Sequence, residues 1–173
     1  MPEVVAENVV PVLDHGFLAL DAALASDLAV VNGARVSFNQ ESDEMTERDA
    51  GLIRFLVRNR HGSPFEHGYF RFLVKAPLFV VREHHRHRAG HCLPGTAMIW
   101  METIAPRSVL PLTMYTKYYW SCNPRSLMHF CGLRNHDSAQ YEIREYAAAA
   151  ESFLERLMPV THTAFVANGR VAP

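Results

Sequence analysis

The chain has 173 residues, 49% of them hydrophobic, and a formal net charge of -1. That length accommodates one globular domain with a substantial core, and the balanced charge excludes a global basic field that would draw it onto nucleic acid or anionic lipid. Apolar runs such as Leu78 to Val81 and Ala147 to Ala150 fall far short of the roughly 20 residues that span a bilayer, so neither nucleic acid nor membrane is an expected partner, and any anionic ligand must be held by local clusters.

Val4 to Leu13 is rich in valine and runs into the turn signal Asp14-His15-Gly16, so a first strand is expected there. Met1 to Val12 carries Glu3 and Glu7 and lacks the basic start of a secretory signal. The three cysteines, Cys92, Cys122 and Cys131, are odd in number and outside any CxxC spacing. Together these features predict a cytoplasmic protein with reduced thiols. Asp27 is placed to cap a short helix through Arg35, with Leu28, Val31 and Ala34 on one face, before the chain turns into Val36-Ser37-Phe38. Asn39 to Glu44 is a polar loop. Thr46 and Asp49 have capping-box spacing, and Leu52, Ile53, Leu56 and Val57 recur at helical intervals, which predicts an amphipathic helix up to Arg60. His61-Gly62-Ser63-Pro64 stops it. Tyr69 to Ala76 alternates and is aromatic and β-branched, as a strand requires. Pro77 then ends the ladder by removing an N–H and opens the next helix at its first turn.

That helix, Leu78 to about Arg88, is apolar at its start and densely cationic at its end, a distribution the helix macrodipole favours by itself. Ala89 to Pro106 has no clean period and reads as a connector. Thr113 to Trp120 alternates and is the second strong strand. Arg125 to Leu133 and Ser138 to Leu157 read as helices, the second with Ala139, Ile143, Tyr146, Ala147, Ala150, Leu154 and Leu157 on a broad buried face. Strands and helices mix without regular βαβ alternation, so the expected class is α+β, a mostly antiparallel sheet with packed helices.

Three clusters carry chemistry. Arg82 and Arg86 stand one helical turn apart with Glu83 facing His87 at i,i+4, and a pair of guanidiniums on one face suits a phosphate or pyrophosphate because the planar fork matches its oxygens. His84, His85, His87, His91 and Cys92 also admit a metal reading, with His87 and His91 at i,i+4. Against a dication stand the surrounding arginines, with Glu83 the only carboxylate nearby. His61 to His67 lies where a helix stops and a strand starts; turn geometry explains Ser63 and Pro64 but not both histidines. In the C-terminal half Arg125, His129 and Arg134 share one helix and its end, while Leu127, Met128, Phe130 and Leu133 are assigned to its core-facing sides.

Arg86-His87-Arg88, Ser63-Pro64-Phe65-Glu66-His67, the run Asn123 to Arg134 and Gln140-Tyr141-Glu142-Ile143-Arg144 together resemble the flavin-dependent thymidylate synthases, which methylate dUMP with a folate carbon and a bound FAD. The resemblance implies FAD contact at Ser37, His61, Ser63, Arg86, His87, Arg88, Asn123, Arg125 and His129. It assigns Glu83, Arg86, Arg107 and Arg134 to dUMP, with Arg134 against the pyrimidine as the catalytic residue, and no metal. Methylenetetrahydrofolate and NADPH follow as co-substrates and a homotetramer as the assembly, with Gln140 to Arg144 in a structural role. Two features depart from the family pattern. Where the family continues its Arg-His-Arg signature with Ser and then Asn-Glu-x-Ser-x-Arg-Tyr, this chain runs Ala89-Gly90-His91-Cys92-Leu93-Pro94-Gly95 and reaches Ala105-Pro106-Arg107 almost at once. The domain, residues 1–173, therefore reads as shortened between about 89 and 106, with the block that holds the dUMP phosphate missing. Where the family usually has Gln, this chain has Glu83, which accepts but cannot donate. A non-catalytic FAD-binding remnant of the same fold is the alternative that these departures imply.

Overall fold

Alternation builds the sheet. In the computed structural model, which describes residues 8–87 and 111–173, strand β3 (Tyr69–Pro77) buries Phe70, Phe72, Val74 and Ala76 and turns Tyr69 and Arg71 outward. Strand β4 (Tyr115–Cys122) does the same with Thr116, Tyr118, Trp120 and Cys122 inside. The two pair antiparallel in the register Phe72 with Trp120 and Val74 with Tyr118, so the buried set of each strand faces the same side. Strand β1 (Val9–Val12) and strand β2 (Gly16–Leu24) complete a four-stranded antiparallel sheet in the order β1-β2-β3-β4, with a register shift between Leu20 and Ala22. The solvent face is stitched by Arg71 over Tyr119, Lys75 over Tyr115 and Lys117 over Phe17.

Of the six helices among the described residues, five follow from the capping and apolar patterns. Helix α1 (Asp27–Arg35) is capped by Ser26, whose side chain accepts from the Ala29 N–H at 3.1 Å. Asp27, expected to be that cap, turns instead to a segment near the other end of the chain. Its carboxylate accepts from the N–H groups of Val160 and Thr161 and from the Thr161 hydroxyl, at 2.8, 2.9 and 2.6 Å, and so caps helix α6 (Pro159–Ala167). Helix α2 (Glu47–Arg58) opens on the predicted capping box between Thr46 and Asp49. Helix α3 (Leu78–Arg86) starts at the predicted proline, helix α4 (Pro124–Arg134) is capped by Asn123, and helix α5 (Tyr141–Leu157) is the long one. The core joins the sheet's inner face to α5 through Phe72, Trp120, Phe130 and Phe153, whose rings lie about 5 Å apart in chain.

The differences from expectation are local. The first strand ends at Val12, because Leu13 takes a positive φ of 57° in the hairpin turn. Strand β2 and helix α6 carry no clean sequence period and were not anticipated. Val36–Phe38 is a single 3-10 turn, α2 stops at Arg58, and α5 starts at Tyr141 rather than Ser138. Leu133, assigned to the core side of α4, is 53% exposed. Among the described residues no helix is long and apolar enough to cross a membrane, and Cys122 and Cys131 are buried, with Cys92 outside the described residues.

Candidate active site

The first turn of α3 spends its apolar residues on the core, burying Val80 and Val81, and the turn after it buries His84. That leaves Arg82, Glu83 and Arg86 facing outward, where they border an open cleft of about 820 Å³ with Phe79, Arg134 and Gln140. Its volume lies within the roughly 300–1,000 Å³ of small-molecule sites. Arg134, the last residue of α4, enters from the opposite wall. Its Nη1 donates to Glu83 Oε1 at 2.7 Å, both side chains about a quarter exposed, while its Nε is buried with no hydrogen-bond partner among the described residues. Three guanidiniums against one carboxylate leave the cleft with an excess of positive charge.

Glu83 thus serves Arg134, not His87 as the helical spacing alone had implied. His87 lies one residue past α3, because its N–H closes on the His84 carbonyl at 3.0 Å and the chain leaves the helix there. Its ring is buried, 5.2 Å from the His129 ring and 5.3 Å from Phe130.

His129 belongs to a second cleft, about 320 Å³, at the other end of α4. Glu66, Asn123, Arg125 and His129 border it together with the C-terminal residues Ala172 and Pro173. Asn123 is buried and its side-chain oxygen caps the helix, accepting from Ser126 N–H at 2.8 Å and Ser126 Oγ at 2.6 Å. Arg125 pairs with Glu66 and donates from Nε to the main-chain oxygen of Pro173 at 2.6 Å. Gly62 lets Arg125 pack this closely, since a Cβ there would lie 2.6 Å from Arg125 Nε and the side chain would have to shift. The loop that carries His61 and Ser63 is therefore pressed against the guanidinium. Both residues are exposed, and the His61 ring stacks on Phe55 at 5.7 Å.

The structure accordingly gathers Glu83, Arg86 and Arg134 in one cleft and Asn123, Arg125 and His129 in the other, with His61 and Ser63 on the adjoining loop and His87 between the two. Nine residues of α4 separate Arg125 from Arg134, roughly 13 Å along the axis. Ser37 sits on the exposed Val36–Phe38 turn and makes no side-chain hydrogen bond to the other candidates among the described residues. Arg88 and Arg107, together with His91 and the connector between them, lie outside the described residues. Within those described, no three His, Cys, Asp or Glu side chains come together as a metal site. Wall residues with no assigned ligand role include Glu66, which sits inside the quoted Ser63 to His67 motif, and Gln140, read as structural. Their positions in those motifs were the only sequence signal available.

A four-stranded antiparallel sheet backed by helices, with a cleft at each end of one helix and an excess of arginines in the larger, defines an α+β class of protein whose larger cleft suits an anionic ligand. The family model described as thymidylate synthase complementing protein matches residues 20–92 and 103–160, and the chain belongs to that family. It is 36% identical to the flavin-dependent thymidylate synthase of Thermotoga neapolitana, over 91% of this chain and 94% of the relative, and 37% identical to that of Streptomyces coelicolor, over 86% and 90%. The UMP/dUMP methylase PolB from Streptomyces cacaoi, solved with 5-Br dUMP, superposes with a TM-score of 0.77 at 32% identity, covering 95% of this chain and 100% of that one. The same methylase solved with 5-Br UMP gives a TM-score of 0.74. The family match is interrupted between residues 92 and 103, and the alignment to the Thermotoga relative spans 204 residues, more than the whole of this chain.

Proposed function

We propose that this chain is a flavin-dependent thymidylate synthase, methylating dUMP at C5 to give dTMP with FAD as cofactor and methylenetetrahydrofolate and NADPH as co-substrates. The observation that carries the reading is the Arg134 guanidinium, held by Glu83 and bordering one cleft with Arg82 and Arg86, its buried Nε without a partner among the described residues. Methylation at C5 needs electron density on that carbon, and a guanidinium beside the N3 and carbonyl edge of uracil stabilises the enolate-like anion that results. Burial pushes the Cys131 thiol well up, away from the thiolate a nucleophile needs, and activation of the base by Arg134 requires no cysteine. Arg86, with Arg107, offers the positive charge for the substrate's phosphate.

We assign the second cleft to the flavin dinucleotide: His129 and Arg125 would face its anionic bridge, Arg125 exchanging Glu66 for it, and Asn123, His61, Ser63 and Ser37 with Arg86, His87 and Arg88 complete the residues that would hold FAD. When bound, the flavin supplies the reducing equivalents that turn the transferred carbon into a methyl group. We read residues 1–173 as one domain, shortened between about 89 and 106; the single hydrophobic core and the interrupted family match support this. Self-association into a cytoplasmic homotetramer belongs to the same reading, since small domains with open clefts gain from shared burial.

The test is release of tritium from C5 of labelled dUMP by the full chain with FAD, methylenetetrahydrofolate and NADPH. UMP is run in parallel, because the PolB structures hold analogues of both nucleotides. Turnover with dUMP that falls about 100-fold or more in Arg134→Ala is expected. No release under these conditions, or release that Arg134→Ala leaves intact, overturns the reading in favour of a flavin-binding remnant.

A further inference from the structure

Behind the Arg134 end of α4 lies a buried carboxylate that the proposed reaction does not use. Glu151, in α5, is 5% exposed and is met from three separate parts of the chain. Asn135 Nδ2 donates to it at 2.7 Å, Arg170 Nη1 donates at 2.6 Å, and His162 Nε2 stands 2.9 Å away. Asn135 directly follows Arg134 and closes α4, its N–H donating to the Cys131 carbonyl at 2.9 Å. Arg170 acts twice. Besides its guanidinium on Glu151, its carbonyl oxygen packs so closely on Gly132 that a Cβ there would come within 2.5 Å of it.

From this anchor the C-terminal segment runs back along α4. Pro173, three residues on, accepts from Arg125 Nε at the helix's first turn. Arg125 and Gly132 are seven residues apart, roughly 10 Å along a helix, and three extended residues cover about that distance. The same short strap therefore touches both ends of the helix that carries both clefts. It lies beyond residue 160, where the family match ends.

We propose that Glu151, Asn135 and Arg170 form a positioning clamp: through Asn135 and Arg170, Glu151 fixes the last turn of α4, from which Arg134 enters the larger cleft, and the strap sets Arg125 in the smaller one from the same anchor. The role assigned to Arg134 rests on the function proposed above. A guanidinium on a long side chain is only as well placed as its Cα, and a helix's last turn frays unless its end groups are held. A buried carboxylate holds them strongly, because losing one partner leaves a charge without compensation. None of the three residues borders either cleft, so all act through others.

Asn135→Ala is the primary variant, since it removes one arm and leaves the Glu151–Arg170 pair that supports the fold. Hydrogen exchange of the full-length protein should quicken at residues 131–135 and stay unchanged at 124–128, with the melting temperature lowered by several degrees and the fold retained. Isothermal titration with dUMP should show affinity weakened about tenfold, as sub-ångström to ångström misplacement of a binding group produces, and Asn135→Gln, which keeps an amide donor, should recover most of it. Arg170→Ala should loosen both ends of α4 and also lower FAD retention on desalting. Unchanged exchange at 131–135 in Asn135→Ala, or quickened exchange with dUMP affinity within about twofold of the parent, overturns the clamp as a positioning device. A parent protein that binds no dUMP overturns the functional reading instead, and the exchange measurement then decides the clamp by itself.

Discussion

Arg134 Nη1 donates to Glu83 Oε1 at 2.7 Å across the mouth of the larger cleft, joining the end of α4 to the middle of α3. The carboxylate orients the guanidinium and also cancels one of the three positive charges there. These two effects have opposite consequences for an anionic ligand, and at a quarter exposure the charge effect amounts to no more than about 1 kcal/mol.

Glu83→Gln keeps an oxygen to hold Arg134 and removes the negative charge. Affinity for dUMP should therefore rise, by about three- to fivefold at low ionic strength, and the gain should shrink as salt is added. Titration calorimetry at two salt concentrations measures this. Unchanged affinity at low salt places the nucleotide phosphate away from Glu83.

Gly62→Ala and Gly16→Ala separate site geometry from stability. At Gly62 the added Cβ meets only the flexible Arg125 side chain, so the guanidinium shifts, the melting temperature holds, and FAD retention measured by flavin absorbance falls. At Gly16 it meets the Tyr146 hydroxyl at 2.0 Å and the carbonyls of Val12 and Lys75 at 2.7 and 2.9 Å. The hydroxyl is itself bonded to Lys75 O at 2.6 Å. The backbone cannot yield cheaply, and denaturant unfolding should show a loss of about 1–3 kcal/mol.

Asp27→Ala removes the cap that α1 provides for α6. Three hydrogen bonds to a buried carboxylate are lost and two N–H groups at a helix start are left without a partner. A destabilisation of about 2–3 kcal/mol is expected. Asp27→Asn should cost less, since its carbonyl oxygen still accepts.

Acid should expose the Glu151 cluster. Burial by itself would raise the Glu151 pKa, but hydrogen bonds from Arg170, Asn135 and His162 outweigh it and hold the carboxyl below its ordinary value. A depressed folded pKa stabilises the fold above the unfolded value, about 4.3, and that stability drains away as pH falls through the folded value. Melting temperature should thus fall more shallowly on the acid side in Glu151→Gln than in the parent, starting from a lower plateau at neutral pH. Parallel acid limbs would remove Glu151 from the linkage.

Most elements were legible because their residues report a period. Tyr69 to Ala76 alternates, and Leu52, Ile53, Leu56 and Val57 recur, so burial on one face followed directly. Strand β2 escaped because Phe17 to Leu24 is rich in leucine and alanine, residues at home in helices; it is a strand because β1 and β3 bond to both its edges. Helix α6 escaped because Val160, Thr161 and Thr163 are β-branched and its polar and apolar residues do not separate onto two faces. It is held by Asp27 and by packing beneath α2 and α5.

By itself the sequence determined the chemical inventory: which arginines, histidines and amides sit at which helix ends, and the family motifs they compose. Those facts depend on neighbours a few residues away, where capping, periodicity and spacing act. Only the tertiary structure decided the pairings, Glu83 with Arg134 rather than His87, Arg125 with Glu66 and Pro173, and Asp27 with α6 rather than α1. Each joins groups 48 or more positions apart, and a charged side chain finds its partner by where packing of the apolar faces carries it, which no local pattern encodes.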